Sequence, residues 1–385
     1  MNKVRTQIPY YTLLILVVCC LGCGSKTEVK ETESVPTGGL QSYKLDIRED
    51  KIPVTDLIQS IKITRLEETE ESLLKAVGQV EFHEDKMIIL SPSNDGTIYI
   101  YSKTGEFLNK FNRKGEGPEE YSRWTNAWLE NGLIGIYIYG KSINRYDLEG
   151  NFICRDRLNE RAEYVYPYKS GYALDMHLVY TQDSLKYSLV TVDNEMKLDK
   201  TLLPFEKYPG FRNPQFLNSF FTLDDDLFYL HSMSDTVYRI TADSAVPFIH
   251  YDFQEDWYFK PDVEVESRFY EKSNRKEQVW FVLNNIGESH IYLYTTLGPQ
   301  MDYDFLIDRE TKRSTSIDWR ISPNKKLDFY TIDWYGDEFL ISLRSSHLTH
   351  LLEQLDPEQY SFTEGTTLEE IESSENPVLV SIKFK

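Results

Sequence analysis

The sequence predicts an all-β fold: a six-bladed β-propeller of four-stranded antiparallel blades, with a short helical insertion. Three observations carry this. From about residue 60 onward, short β-branched and aromatic runs alternate with turn residues, strand after strand. Residues 98–108 lie over residues 143–153, with Gly105 on Gly150 and Phe107 on Phe152, both at a spacing of 45. Aromatic residues make up 14% of the chain, 27 of them Tyr, a composition that suits pleated surfaces half buried between packed sheets. A period of about 40–50 residues with about four strands in each is the pattern of a propeller blade.

The elements follow in order. Lys3 and Arg5 precede an uncharged apolar stretch from Ile8 to Leu21, and Gly22-Cys23 comes directly after it. That stretch is too short for a stable membrane span and reads as a signal peptide over residues 1–22. Residues 23–40 are polar and carry almost no large apolar side chain, so they form a flexible tether of roughly 50 Å when extended. The propeller then occupies residues 41–385. Blades are expected near 61–111, 120–158, 163–204, 214–253, 278–320 and 326–352 with 376–385. In the two aligned copies a strand ends, a polar turn closes on Gly, and an apolar strand follows. The Gly supplies the positive φ of a tight turn. A fainter copy at 189–195 keeps the strand and turn but loses the Gly, and residues 235–240 and 304–308 keep only the strand. The C-terminal run 377–384 is a strand, and 42–47 is its expected N-terminal partner in closing the ring. Residues 260–278 and 366–374 read as helices inserted between strands.

Composition excludes several functions. Net charge is −20, and the leader holds two of the positive charges, so the remainder is more acidic still. Such a chain repels phosphate backbones, and no nucleic-acid partner is expected. Cys19 and Cys20 leave with the signal and Cys23 lies in the tether, so Cys154 is the one thiol of the folded domain and no disulfide framework forms within it. Cys154 lies in an apolar strand pattern and reads as a small buried hydrophobe.

Two motifs resemble known families. Gly22-Cys23 after the apolar stretch resembles the cleavage box of bacterial lipoproteins, in which the Cys is acylated. Cys20 departs from the aliphatic residue usual three places before it. Residues 111–121, with Gly115, Gly117, Pro118 and Tyr121, resemble the G-x-G-P-G-E-[FY] loop of NHL-like propellers, departing at Glu119. More narrowly, the chain resembles the six-bladed β-propeller lipoproteins of Bacteroides-type bacteria (NHL/TolB-like propellers). It shares with them a strand ending in Leu66-Glu67-Glu68-Thr69 and a C-terminal Asn376-Pro377-Val378-Leu379. The resemblance implies an outer-membrane lipoprotein, facing periplasm or cell exterior, held through lipid on Cys23.

Chemistry is sparsely signalled. His347 and His350 form one close pair, but in strand-rich sequence they would point to opposite faces. No zinc or calcium motif and no G-x-S-x-G elbow is present, so no metal ligand, catalytic residue or cofactor is assigned. The Gly115-Glu116-Gly117 loop lacks the Lys-Ser/Thr and βαβ context of a nucleotide site and reads as a blade connector. Asp224-Asp225-Asp226 reads as a hairpin turn.

A binding role is the stronger expectation. Inner strands and loops carry Trp124, Asn126, Trp128, Tyr166, Trp257 and Tyr258, side chains that suit a small ligand, glycan, peptide or envelope protein, though such residues also pack blade against blade. The binding surface is expected on the face of the blade-to-blade loops, including 113–121 and the insertion at 254–278. Trp257, Tyr258 and Phe259 would there either meet a partner or anchor the 260–278 helix. Two rivals remain: a cation-dependent hydrolase or lactonase holding Ca²⁺ in the channel through residues such as Asn126, Asn218, Asn284 and Glu288, and a structural spacer in an envelope complex.

Overall fold

Side-chain alternation decides the architecture. In strand Ile98–Ser102, Ile98 and Ile100 face one way, Tyr99 and Tyr101 the other, and all four are buried. A strand that is apolar on both faces needs a sheet packed on each side, and a ring of sheets gives every blade two neighbours. The computed structural model describes residues 39–385 except 92–94, 123, 141, 178–180, 182–183, 207–218, 224, 232, 261–277, 299–300 and 323–324. It is a six-bladed propeller, mostly strand and little helix.

Blade one is Val80–His83, Lys86–Ile89, Ile98–Ser102 and Phe107–Phe111. Blade two is Trp124–Glu130, Leu133–Ile138, Ser142–Tyr146 and Phe152–Arg157. Blade three is Tyr164–Tyr168, Gly171–Asp175, Tyr187–Val192 and Leu198–Pro204. Blade four is Phe220–Leu223, Asp226–Leu230, Thr236–Ile240 and Ala245–Asp252. Blade five is Val279–Ile286, His290–Leu297, Met301–Asp308 and Ser314–Asp318. Blade six takes Phe329–Tyr335, Glu338–Leu343 and Val378–Phe384 from the C-terminal part and Ile58–Arg65 from the N-terminal part. An apolar cluster fills each of the six junctions between neighbouring blades, including the six–one junction, where Leu340 and Leu379 meet Met87 and Tyr101.

Closure differs from the expectation in one respect. The C-terminal strand pairs antiparallel with Ile58–Arg65, not with 42–47. Residues Gln41–Lys44 instead form a parallel fifth strand on the outer edge of blade four, with Tyr43 opposite Tyr251. Strand 58–65 therefore belongs to the last blade rather than the first. Its alternation of buried Ile58, Ile61 and Ile63 gives eight residues of pairing length, against four in 41–44.

The repeat glycines hold positive φ, +92° at Gly105 and +81° at Gly150. A Cβ at Gly105 would lie 1.8 Å from the Arg65 carbonyl oxygen. In blade three Met196 takes the same place with φ +61°, which is why the backbone repeat outlasts the Gly. The acidic run is a hairpin, with Leu223 opposite Asp226.

The 366–374 segment contains a short helix, Leu368–Glu372, capped by Thr367 and Glu370. The 260–278 expectation falls largely on 261–277, outside the described residues. A further helix, Ser345–Leu352, replaces the strand expected around His347 and His350. Its buried Leu348, Leu351 and Leu352 follow helical spacing and pack against blades five and six.

The two faces of the disc are unequal. First and second strands join through tight turns, such as His83 opposite Lys86, Glu130 opposite Leu133 and Tyr335 opposite Glu338. The third-to-fourth turns share that face. All the longer connections, including 66–79, 112–123, 253–278, 319–328 and 344–377, leave and re-enter the sheets on the opposite face.

Candidate functional site

The loop-rich face opens into a cleft of about 450 Å³ between blades five and six. Its blade-five wall comes from adjacent strands. Tyr292 and Tyr294 alternate on one, and Asp302 and Asp304 on the next, all facing blade six. The Tyr292 hydroxyl donates to Asp304 at 2.8 Å and the Tyr294 hydroxyl to Asp302 at 2.6 Å. Lys326 ends the small hairpin of Arg320–Ser322 and Lys325–Lys326, and places its ammonium 3.7 Å from Asp302 and 3.6 Å from Asp304. Burial pushes the Asp304 carboxyl above its usual range, and Lys326 opposes that shift.

Blade six adds Phe329 and Tyr330, and the loop entering blade one adds Gly78. Tyr330 is 54% exposed, the one aromatic ring among the described residues presented so openly. Asp328 at the mouth pairs with Arg344 at 3.3 Å. Behind the wall, Lys51 donates to the Asp302 carbonyl oxygen at 3.2 Å and lies over the Tyr303 ring. The cleft thus combines aromatic surface with closely interleaved donors and acceptors, a combination suited to recognition.

The axial channel is different. Inner strands bring Glu81, Tyr166, Asn285 and Asp333 together near the axis. Burial, with Asp333 adding a like charge, pushes the Glu81 carboxyl up to about 7, while Gln79 opposes the shift by donating a hydrogen bond. Protein packed around the channel pushes Asp333 to about 6 against hydrogen bonds from the Trp334 amide and Asn285, although its side chain is open to the channel. Among the described residues, no group of three or more His, Cys, Asp or Glu side chains converges on a point where a metal ion could be held.

Amides near the axis tie neighbouring inner strands. Asn126 donates to the Val165 carbonyl oxygen at 2.6 Å and accepts from the Val165 amide, and Gln79 donates to the Ala127 carbonyl oxygen. Asn285 does the same for Ile332. These bonds satisfy backbone groups that sheet pairing leaves open at the inner edge.

The other nominated residues are placed as follows. Trp124 is buried and stacks on Tyr121. Trp128 lies in the two–three junction with its ring against Gly135, where a Cβ would come within 2.5 Å. Tyr166 lines the channel beside Phe220. Trp257 and Tyr258 are buried, and Trp257 stacks on Phe253 within the four–five junction, so both offer little surface to a partner. Asn284 sits on the inner strand of blade five, Glu288 is in an exposed turn, and Asn218 and Cys23 lie outside the described residues.

In the connector, the Gly117 amide donates to the Glu120 carboxylate at 2.7 Å, and a Cβ at Gly115 would strike the same carboxylate. The Tyr121 hydroxyl accepts from the Arg113 amide and donates to the Gly96 carbonyl oxygen, pinning the loop to blade one. Pro118 lies in the turn between these contacts. Cys154 is half-buried rather than buried, because it faces the Arg145 guanidinium at 3.5 Å instead of an apolar neighbour. His347 accepts from the Asp328 amide, and His350 faces Glu353.

The sequence reading missed the cleft residues. Their signal was Asp302 and Asp304 at alternate places in a strand, on a face whose next residue, Leu306, is core.

The fold and the site together define a six-bladed propeller with a recessed cleft between blades five and six on its loop-rich face. Residues 42–383 match the family described as "Domain of unknown function (DUF4934)", and the chain belongs to that family. No curated protein matches the sequence. Among solved structures it is similar to a Bacteroides fragilis NCTC 9343 protein whose description is of an exported protein. The two share 16% identity with a TM-score of 0.71, over 90% of this chain and 99% of that one. It is distantly similar to BamB from Moraxella catarrhalis, at 10% identity and a TM-score of 0.37 over 69% and 71% of the chains. No helix among the described residues is long and apolar enough to cross a membrane.

Proposed function

We propose that the chain is an exported, lipid-anchored binding module of the outer membrane, in the manner of NHL-like propeller lipoproteins, which takes a ligand into the cleft between blades five and six. The observation that carries this is the cleft itself: about 450 Å³, open on the loop-rich face, walled by Tyr side chains and hydrogen-bonded carboxylates. A spacer has no use for such a recess. A cation-dependent hydrolase needs three or four converging ligands, and among the described residues no such group of His, Cys, Asp or Glu side chains comes together. The signal-like leader and the likeness to a protein described as exported support the location.

Gly78 makes the test clean. It lines the cleft, and a Cβ there meets nothing within 4 Å, so Gly78→Trp adds a bulky side chain at the cleft lining without a clash at Cβ, an unchanged circular dichroism spectrum checking the fold. A chemically broad ligand library screened by thermal shift should contain compounds that raise the melting temperature of the native protein by mass action. Those shifts should vanish in Gly78→Trp. If no ligand distinguishes the two proteins, the cleft is not the binding site.

A further inference from the structure

The geometry points to a neutral carbohydrate as the class of ligand for this cleft, an inference that rests on the cleft being the binding site. Charges in and around the cleft are balanced. Lys326 sits between Asp302 and Asp304, Arg344 pairs with Asp328, and Lys51 lies behind the wall. Three carboxylates are faced by three cations. A cationic ligand would meet the Lys326 ammonium, and an anionic one would meet two carboxylates. A free ion of either sign therefore gains little here.

A sugar hydroxyl is suited to this arrangement because it both donates and accepts. Asp302 is 44% exposed and accepts from Tyr294 and faces Lys326, leaving carboxylate lone pairs for a donated hydroxyl. Lys326 is 47% exposed, and an ammonium carries three donors for an accepting hydroxyl. Adjacent hydroxyls on a ring could bridge the two groups through charge-assisted hydrogen bonds. The half-buried Tyr294 ring, on the same face of the wall as Asp302 and Asp304, supplies the remaining requirement, a flat apolar surface for the C–H face of a sugar ring.

The probes are immobilised neutral oligosaccharides of hexoses and pentoses, with oligogalacturonide as the anionic control and spermine as the cationic one. The expected result is saturable binding of at least one neutral oligosaccharide, lost in Gly78→Trp. Tyr294→Leu, which keeps apolar bulk but removes the flat ring, should weaken it about tenfold. Asp302→Asn and Lys326→Met should both weaken it, since each removes a charge-assisted partner. Affinity should hardly change between about 0.05 and 0.5 M salt.

Ionic ligands behave otherwise. Lys326→Met would strengthen spermine binding, Asp302→Asn would strengthen oligogalacturonide binding, and salt would weaken both. If only an ionic probe binds, with binding lost in Gly78→Trp, the carbohydrate assignment falls while the binding site stands. If no probe separates the native protein from Gly78→Trp, both fall.

Discussion

Glu81 shows how a single half-buried carboxyl, crowded by the channel walls, can cost stability. Folded, its carboxyl titrates near 7, against an ordinary value of 4.5, because burial disfavours the charged form and Asp333 adds a like charge. Asp333 is raised to about 6 from 3.8. Between about pH 4 and pH 7 the folded state therefore holds more protons than the unfolded state. Stability must fall as pH rises through that window and level off above it. Replacing Glu81 by Gln keeps an acceptor for the Gln79 amide at 3.3 Å and removes the charge. Glu81→Gln should thus stabilise the protein at pH 7.5 by roughly 1–3 kcal/mol, a rise of a few degrees in melting temperature. Its gain should shrink toward pH 4.5. Melting curves at several pH values check this, and an equal shift at every pH would show that the charge is not responsible. The repeat glycines were legible in the sequence because positive φ leaves a residue signature. The raised carboxyls were not, because each owes its environment to strands far away in the chain.

At the scale of elements, the ring is held shut by a side-chain lock as well as by strand pairing. Asn376 is 1% exposed, and its side chain accepts from the Leu74 amide at 2.7 Å and donates to the carbonyl oxygens of Ser72, Glu67 and Leu66. Glu68 answers from the other terminus, accepting from the Ser374 hydroxyl and the Glu375 and Asn376 amides. Two short motifs about 300 residues apart thus clamp strands Ile58–Arg65 and Val378–Phe384 together. Asn376→Ala strands several buried backbone groups without partners and should cost about 2–4 kcal/mol. Chemical denaturation measures it, and a loss under about 0.5 kcal/mol would rule out the lock. The sequence showed both motifs, and the 45-residue period showed the blades. It misassigned the closing strand because 42–47 and 58–65 are both apolar-alternating, and only the available edge in three dimensions decides between them. The helix at Ser345–Leu352 was missed for a related reason: its apolar residues are few, and they gain their meaning from the blade-six core beneath them.

For the whole molecule, the inequality of the two faces matters most. Tight turns dominate one face, while the long connections and the cleft between blades five and six share the other. Strand Gln41–Lys44 runs parallel to Ile249–Asp252, toward the loop-rich face, so Gln41 is its end nearer the short turns. On the proposed function, binding and anchoring use different parts of the chain, the cleft and Cys23, and should separate by mutation. Acyl chains on Cys23 would each contribute about 0.8 kcal/mol per buried CH₂, and several chains hold a protein firmly on a bilayer. Cys23→Ala should move the protein from the membrane fraction to the soluble fraction while its melting temperature and its thermal shifts with cleft ligands stay as in the native protein. Gly78→Trp should do the reverse, remaining with membranes and losing those shifts. Fractionation and thermal shift on the same two variants decide the matter. If Cys23→Ala still sediments with membranes, the anchor is not lipid on that cysteine. If it loses ligand response as well, anchoring and recognition are not independent of each other.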